Sequence, residues 1–391
     1  MKFLLVTSNQ DVMFEYCNLR DLALALTQLG HEARAEGIRR PSIYHDVDVV
    51  IEINYRRHEM VPAKAIHIAW VQDYIEETSP DYASDCLPQD MFYTFGDISV
   101  MEMPKGSKHH AGSLLYAANP KLLDRQPIEQ SLDFSIAAFI PEPAEFRGRE
   151  AGKDIAPGTR QLVSEKQIFD LLTEVMEECY RPLSGLGCHR GDVTRMHDEI
   201  TNLVLRSKLP VDIEDAWAQV KKQVSQFTHA YTRMMDRRDL AKMILSISDE
   251  VVFQGFNWGN WPEFKLWARP YAQDQRPLIY LYQSTRVNVH NNVYGFALGS
   301  RVFECMAVGG FIMANESPHY GKAGQMTESF EPEVHFGEYN AKTFCERARY
   351  WLAHPDKRNK AATKAKKIIK AKHLWEHRAR QILRDLGVKP R

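Results

Sequence analysis

Short apolar runs alternate with amphipathic stretches from the first residues of the chain. Phe3–Val6, Ala33–Ala35, Val47–Ile53, Ile66–Val71, Met91–Phe95 and Leu114–Tyr116 read as strands. Most are hydrophobic at successive positions, the pattern of a parallel sheet covered on both faces. Between the first two, Glu15–Leu29 sets Leu19, Leu22, Leu26 and Leu29 on one side of a helix that Gly30 stops. This rhythm predicts a Rossmann-like α/β sheet over residues 1–116. Residues 117–131 are polar, hold Pro120 and Pro127, and read as a linker. Asp133–Ile140 and Val251–Phe253 belong to a second parallel sheet, within a second Rossmann-like unit over 132–372. The stretch between them, about 145–245, is charged and helical in pattern at Leu162–Tyr180, Val193–Ser207 and Ile213–Leu245. A helical insertion is expected there.

The segment Ser284–Asn315 carries the most chemistry. It reads as a strand (Arg286–His290), a loop with Gly295 and Gly299, a short helix, the break Gly309-Gly310, and a strand (Phe311–Ala314). Ser300 is the expected N-cap of that helix. Backbone N–H groups at such a helix start, together with its dipole, favour a phosphate. Arg301 adds a fixed positive charge, and Glu304 a carboxylate able to accept two hydroxyl hydrogen bonds. An anion socket beside a diol acceptor suits a ribose-diphosphate. An ordinary strand–helix unit with a surface Arg–Glu pair is the alternative.

Composition narrows the field. The chain has 391 residues, 44% hydrophobic and 26% charged, with a formal charge of -1, so bulk charge selects no partner. The N-terminus reads as a strand followed by polar residues, unlike a signal peptide, and the chain reads as cytoplasmic and without a membrane span. Six scattered cysteines show neither metal spacing nor a disulfide framework. No Walker loop, nucleophile elbow or loop D-x-D appears. From Lys357 to Arg391, thirteen Lys and Arg stand against Glu376 and Asp385, while Trp375, Ala379, Ile382 and Leu386 recur at helical spacing. A basic helix over 373–391 follows, either solvated on its charged face or set against an anionic surface.

Ligands of open parallel sheets sit beyond the carboxyl ends of the strands. In the first unit that rule gathers Ser8, Asn9, Asn54, Asp73 and Asp97. Asp73 is the candidate general base for an acceptor hydroxyl, with a turn-forming aspartate as the bland alternative. Phe256, Trp258, Trp261, Phe264 and Trp267 crowd one loop and offer either a stacking wall or core. Lys265 and Arg269 beside them are candidate partners of a diphosphate.

Arg301-Val302-Phe303-Glu304-Cys305-Met306-Ala307-Val308-Gly309-Gly310 resembles the R-x-F-E-x-x-A-x-G-x stretch of the spore-maturation (CgeB-like) glycosyltransferases. Val251–Trp258 is similar to that family's strand ending in G-x-x-W. Tyr350–Pro355 with His377-Arg378-Ala379 resembles its ending. The resemblance covers roughly residues 245–385. It implies a GT-B-like fold, in which two Rossmann-like domains with parallel sheets face a cleft. It also implies a last helix crossing back to the N-terminal domain, and metal-independent transfer of a hexosyl or pentosyl group from a nucleotide-diphospho-sugar. No cofactor is implied. The donor side would comprise Glu304 on the ribose, Arg301, Ser300 and Gly299 on the diphosphate, and Gly255 and Trp258. Ser8, Asn9, Asn54, Asp73 and Asp97 would face the acceptor. The acceptor stays open among a glycan, a protein, a lipid-linked glycan and a modified nucleic-acid base. Many relatives carry a second glutamate where this chain has Phe296. Two alternatives follow, a nucleotide-sugar epimerase or hydrolase of the same fold, and a non-catalytic nucleotide-sugar-binding module.

Overall fold

The structure, a computed structural model, describes residues 1–7, 13–72, 81–101, 103, 106–141, 177, 180, 182–183, 230–272, 274–291 and 298–388. The first half runs β1 (Lys2–Val6), α1 (Met13–Gln28), β2 (Glu32–Glu36), β3 (Val49–Ile53), β4 (Ile66–Val71), β5 (Met91–Thr94) and β6 (His110–Ser113). These strands form one sheet in the order β2-β1-β3-β4-β5-β6, every pair parallel. The two-residue period of a strand divides β1 between two cores. Phe3 and Leu5 pack with Leu19, Leu22 and Leu26 of α1, whereas Leu4 and Val6 meet Ile43, Tyr44, Val47 and Val50 on the other face. Both faces are covered, which is why the inner strands read as mainly apolar runs, with Glu52 of β3 and His67 of β4 buried against each other at 2.9 Å.

The second half runs β7 (Leu132–Ala137), α2 (230–245), β8 (Val251–Gln254), β9 (Ala268–Arg269), α3 (Gln275–Ser284), β10 (Thr285–His290), α4 (Ser300–Ala307), β11 (Ile312–Asn315), α5 (Met326–Ser329) and β12 (Gly337–Tyr339). Its sheet is ordered β12-β11-β10-β7-β8-β9 and is again wholly parallel. The expected α/β class with two parallel sheets therefore holds. Within the expected insertion, Val193–Ser207 lies outside the described residues, as does Leu162–Tyr180 apart from 177 and 180. Ile213–Leu245 is described from 230 onward and is helical over 230–245. Among the described residues no helix is long and apolar enough to cross a membrane.

The edge strand of the first sheet departs from expectation. It is His110–Ser113, just before the apolar run Leu114–Tyr116. That run is buried because its carbonyls and side chains receive other groups. Trp70 Nε1 donates to Leu114 O at 2.8 Å, and Arg378 Nε donates to Leu115 O at 3.0 Å.

Arg378 belongs to the end of the chain, which continues through α6 (Phe344–Ala353), α7 (Pro355–Lys372) and α8 (Trp375–Asp385). The basic run is thus two helices, broken at His373-Leu374. There Ala118 N–H donates to His373 O at 2.8 Å, and Trp375 N–H to Ala118 O at 3.3 Å. α8 then lies against α1 and the first sheet. Trp375, Ala379 and Ile382 are at most 1% exposed, with Trp375 edge-on to Trp70 at 6.2 Å. Arg378 also donates to Tyr116 O, Gln381 to Ser113 O at 2.9 Å, and Tyr93 OH to Asp385 at 2.9 Å. Residues 117–131, expected as a plain polar linker, include the buried Leu122 and the buried strand-like bridge of Ala118 to Leu374. Trp375→Ala is expected to lower unfolding free energy by about 3–5 kcal/mol through the cavity it leaves. Urea denaturation checks this, and a midpoint equal to wild type would show α8 to be dispensable to the fold.

Candidate functional site

The second sheet reverses its strand order beside β7, with β8 on one side and β10 on the other. A cavity opens at the carboxyl ends of strands on either side of such a point. Two features shape it here. Gly255, directly after β8, has a φ of 150°, and a Cβ there would stand 2.3 Å from Ala138 O. Only glycine permits this approach. Beside it, α4 begins at the end of β7, and Arg301 Nη1 donates to Ala137 O.

Gly299, not Ser300, is the N-cap of α4, with φ -67° and ψ 163°. Ser300 is the first helical residue, 7% exposed, and makes no capping bond. The expected cap was therefore one residue out. The Gly299 backbone is one any residue adopts, and a Cβ there would meet nothing within 4 Å. Glu304 comes one turn later. It is 6% exposed, and Gln275 Nε2 of α3 donates to its Oε1 at 2.8 Å. Burial pushes the Glu304 carboxyl up to about 7; the Gln275 bond opposes this, Asp21 of α1 adds to it, and Arg301 opposes it. Burial likewise lowers the affinity of Arg301 for its proton, with Arg233 of α2 adding like-charge repulsion. The Tyr282 hydroxyl next to both is enclosed, with no hydrogen-bond partner among the described residues.

A cleft of about 1260 Å³ lies between the two sheets, lined by residues other than those of α4. Tyr16 and residues Glu36–Ile38 with Arg40 line it on the first half, and Gly255–Asn257, Lys265, Arg269 and Tyr271 on the second. Phe256 and Tyr271 stack face to face, with centroids 4.2 Å apart and 12° between planes. Phe256 is 51% exposed, so the pair presents a flat apolar surface to the cleft. Tyr271 also lies near Arg301 and Cys17, tying this wall to α4 and α1. Arg40, Lys265 and Arg269 set three cations against Glu36. The cleft thus offers a stacking surface and positive charge, and behind Tyr271 stand Arg301 and the buried carboxylate of Glu304.

The other candidates are distributed differently. Ser8, Asn9, Asp73 and Phe296 lie outside the described residues. Trp258 is fully buried, stacked on Phe253 at 4.7 Å, and its Nε1 donates to Ala138 O. Its ring is core, as are Phe264 and Trp261, because the loop folds back over β8. Asn54 has a φ of 55° and accepts from Gln72 N–H at 2.7 Å, which splices the ends of β3 and β4. Asp97 caps its own turn, accepting from Ser99 N–H at 2.8 Å, and its N–H donates to Ala323 O at 2.9 Å. It is a strut between the halves. Sequence reasoning missed Tyr271, Gln275 and the loop Glu36–Arg40. Asp274 was the available signal, since it N-caps α3 by accepting from Arg276 N–H at 2.7 Å. Among the described residues, no three His, Cys, Asp or Glu side chains group as a metal-binding set would.

Residues 237–384, a little over a third of the chain, match a family model described as glycosyl transferase-like. The fold is similar to that of a glycosyltransferase from Rickettsia africae ESF-5, at a TM-score of 0.51 and 11% identity, covering 99% of this chain and 98% of that one. It is also similar to the Anabaena HepE protein crystallised with UDP-glucose, at a TM-score of 0.51 and 8% identity, covering 99% of this chain and 100% of that one. No curated protein matches the chain. The likeness is one of fold, two parallel six-stranded sheets with flanking helices.

The raised carboxyl of Glu304 has a consequence for stability. Its proton is held more tightly folded than unfolded, so stability falls as pH rises from its ordinary 4.5 to about 7. Glu304→Gln removes that dependence. The variant is expected to gain on wild type by up to about 3 kcal/mol between pH 5 and pH 8. Parallel denaturation curves at the two pH values test it, and a constant difference would mean an unperturbed carboxylate.

Proposed function

We propose that the protein is a glycosyltransferase that moves a sugar from a nucleotide-diphospho-sugar, with a uridine diphosphate donor as the leading case. The observation that carries the reading is Glu304, a buried carboxylate with Arg301 one helical turn before it on α4, and Arg301 lies near Tyr271 of the inter-sheet cleft wall. The match of residues 237–384 supports transfer chemistry, and HepE, crystallised with UDP-glucose, supports the donor class.

In this reading the ribose hydroxyls donate to the Glu304 carboxylate, and the base stacks on the Phe256–Tyr271 surface. The diphosphate meets Arg301 and the N–H groups that open α4. Those groups stabilise the charge that develops as the sugar leaves, which is the role a divalent ion has in other transferases. Transfer is therefore proposed to be metal-independent. Asp73 is the proposed base on the acceptor side, and the motif likeness to spore-maturation enzymes remains the finer family proposal.

Two measurements follow. Glu304→Ala should weaken UDP binding by about tenfold or more in calorimetric titration, because a hydrogen bond to a charged group contributes roughly 1.5–3 kcal/mol. Wild-type affinity should also fall as pH drops from 8 to 6, since the hydroxyls need the ionised carboxylate and its proton is held to about 7. Equal affinity in the variant would misplace the site. A sugar-release assay with UDP-glucose and EDTA, with and without a hydroxyl acceptor, tests the reaction itself. Acceptor-dependent turnover in EDTA is expected. Turnover restored only by manganese would reject metal independence, and release indifferent to acceptor would indicate a hydrolase.

A further inference from the structure

α7 concentrates the charge of the molecule. Within Pro355–Lys372, seven lysines and Arg358 stand against Asp356 alone, a net +7 in a chain whose total is -1. All other residues together therefore carry -8. The helix has a buried side of Arg358, Ala361, Ala362, Ala365 and Ile369, and Arg358 is turned inward to donate to Leu352 O at 2.8 Å. Lys357, Lys360, Lys364 and Lys367 follow at spacings of three and four on the opposite side, with Lys366 and Lys370 on its flank. Among the described residues, the ion pairs of the flanking segments are Arg347–Glu333, Arg380–Glu376 and Arg384–Asp385, and none includes a lysine of α7; Lys357 Nζ donates to the Tyr350 hydroxyl of α6 at 2.6 Å. Like charges three or four residues apart on a helix repel. The fold thus holds a self-repelling row in place by packing its other side.

We propose that this lysine face docks the protein on an anionic lipid membrane. Lysines are mobile point charges suited to a diffuse negative field, while specific phosphate or nucleic-acid recognition uses arginine forks and aromatic rings. The exposed side of α7 has neither. A straight row on a convex helix roughly 27 Å long meets a plane along its whole length. The net -8 elsewhere is repelled by the same plane, so one orientation is favoured. α7 packs on α4 through Ala365 and Ile369, in the same core as Phe303 and Met306. Docking would therefore hold the Glu304 helix at a set height, roughly 8–10 Å behind the contacting helix.

The test uses the whole protein and does not depend on any sugar activity. Sedimentation is measured with vesicles of phosphatidylcholine alone and of phosphatidylcholine mixed with phosphatidylglycerol, across a salt series. Binding is expected only to the mixed vesicles and should weaken as salt screens the charges. The triple variant Lys360→Glu, Lys364→Glu, Lys367→Glu should bind them at least about tenfold more weakly. Its melting temperature should equal or exceed that of wild type, since it relieves repulsion. Equal binding to both vesicle types, or undiminished binding by the variant, overturns the proposal. So does binding to a single-stranded RNA homopolymer with none to anionic vesicles.

Discussion

The burial of Trp375 and Arg378 against the first sheet makes one molecule of two halves. The N-terminal strands end in an apolar run, Leu114–Tyr116, whose carbonyls point at no neighbouring strand. The last helix supplies both the ring and the donors that this surface lacks. A buried carbonyl without a donor loses the hydrogen bond it had with water, so the guanidinium and the carbonyls are mutually required. Because the same segment joins α7, which packs on α4, the position of the cleft walls follows from this clasp.

The site is a balance between burial and charge. Glu304 lies deep enough to be held partly protonated near neutrality, yet Gln275 and Arg301 retain enough polarity for ionisation to remain within reach. Arg301 is fixed by the carbonyl of Ala137, so its charge points along the strand end without searching rotamers. Gly255 lets β8 come close enough for Phe256 to turn into the cleft. The walls are rigid where the backbone is close and open where side chains face solvent.

Much of this was legible in the sequence, for reasons that also explain what was not. Strands covered on both faces, such as Val49–Ile53 and Ile66–Val71, are apolar apart from Glu52 and His67 and stood out. β9, with two residues, and β12, with three, are too short to show any period, and His110–Ser113 is a part-exposed edge with Ala111 as its one apolar side chain. Leu114–Tyr116 misled because hydrophobic pattern reports burial and is silent on what does the burying. At the site, Glu304 and Arg301 were readable from a local motif. Trp258 was not, since an aromatic ring in a loop looks alike whether it faces ligand or core. Asn54 and Asp97 hold backbone turns, a use that composition does not distinguish from chemistry. Tyr271 and Gln275 reach the site only through tertiary placement.

The clasp also bears on how the chain is made. Trp70 leaves the ribosome about 305 residues before Trp375 does, and Leu114 and Tyr116 about 260 before it. At ordinary synthesis rates of about 5–20 residues per second, that is a wait of roughly ten to fifty seconds. During it the first sheet exists without the helix that closes its apolar edge. Completion of the N-terminal half therefore waits on synthesis of residues 375–385, and a ribosome that stalls before them leaves an open sheet in place of a finished domain.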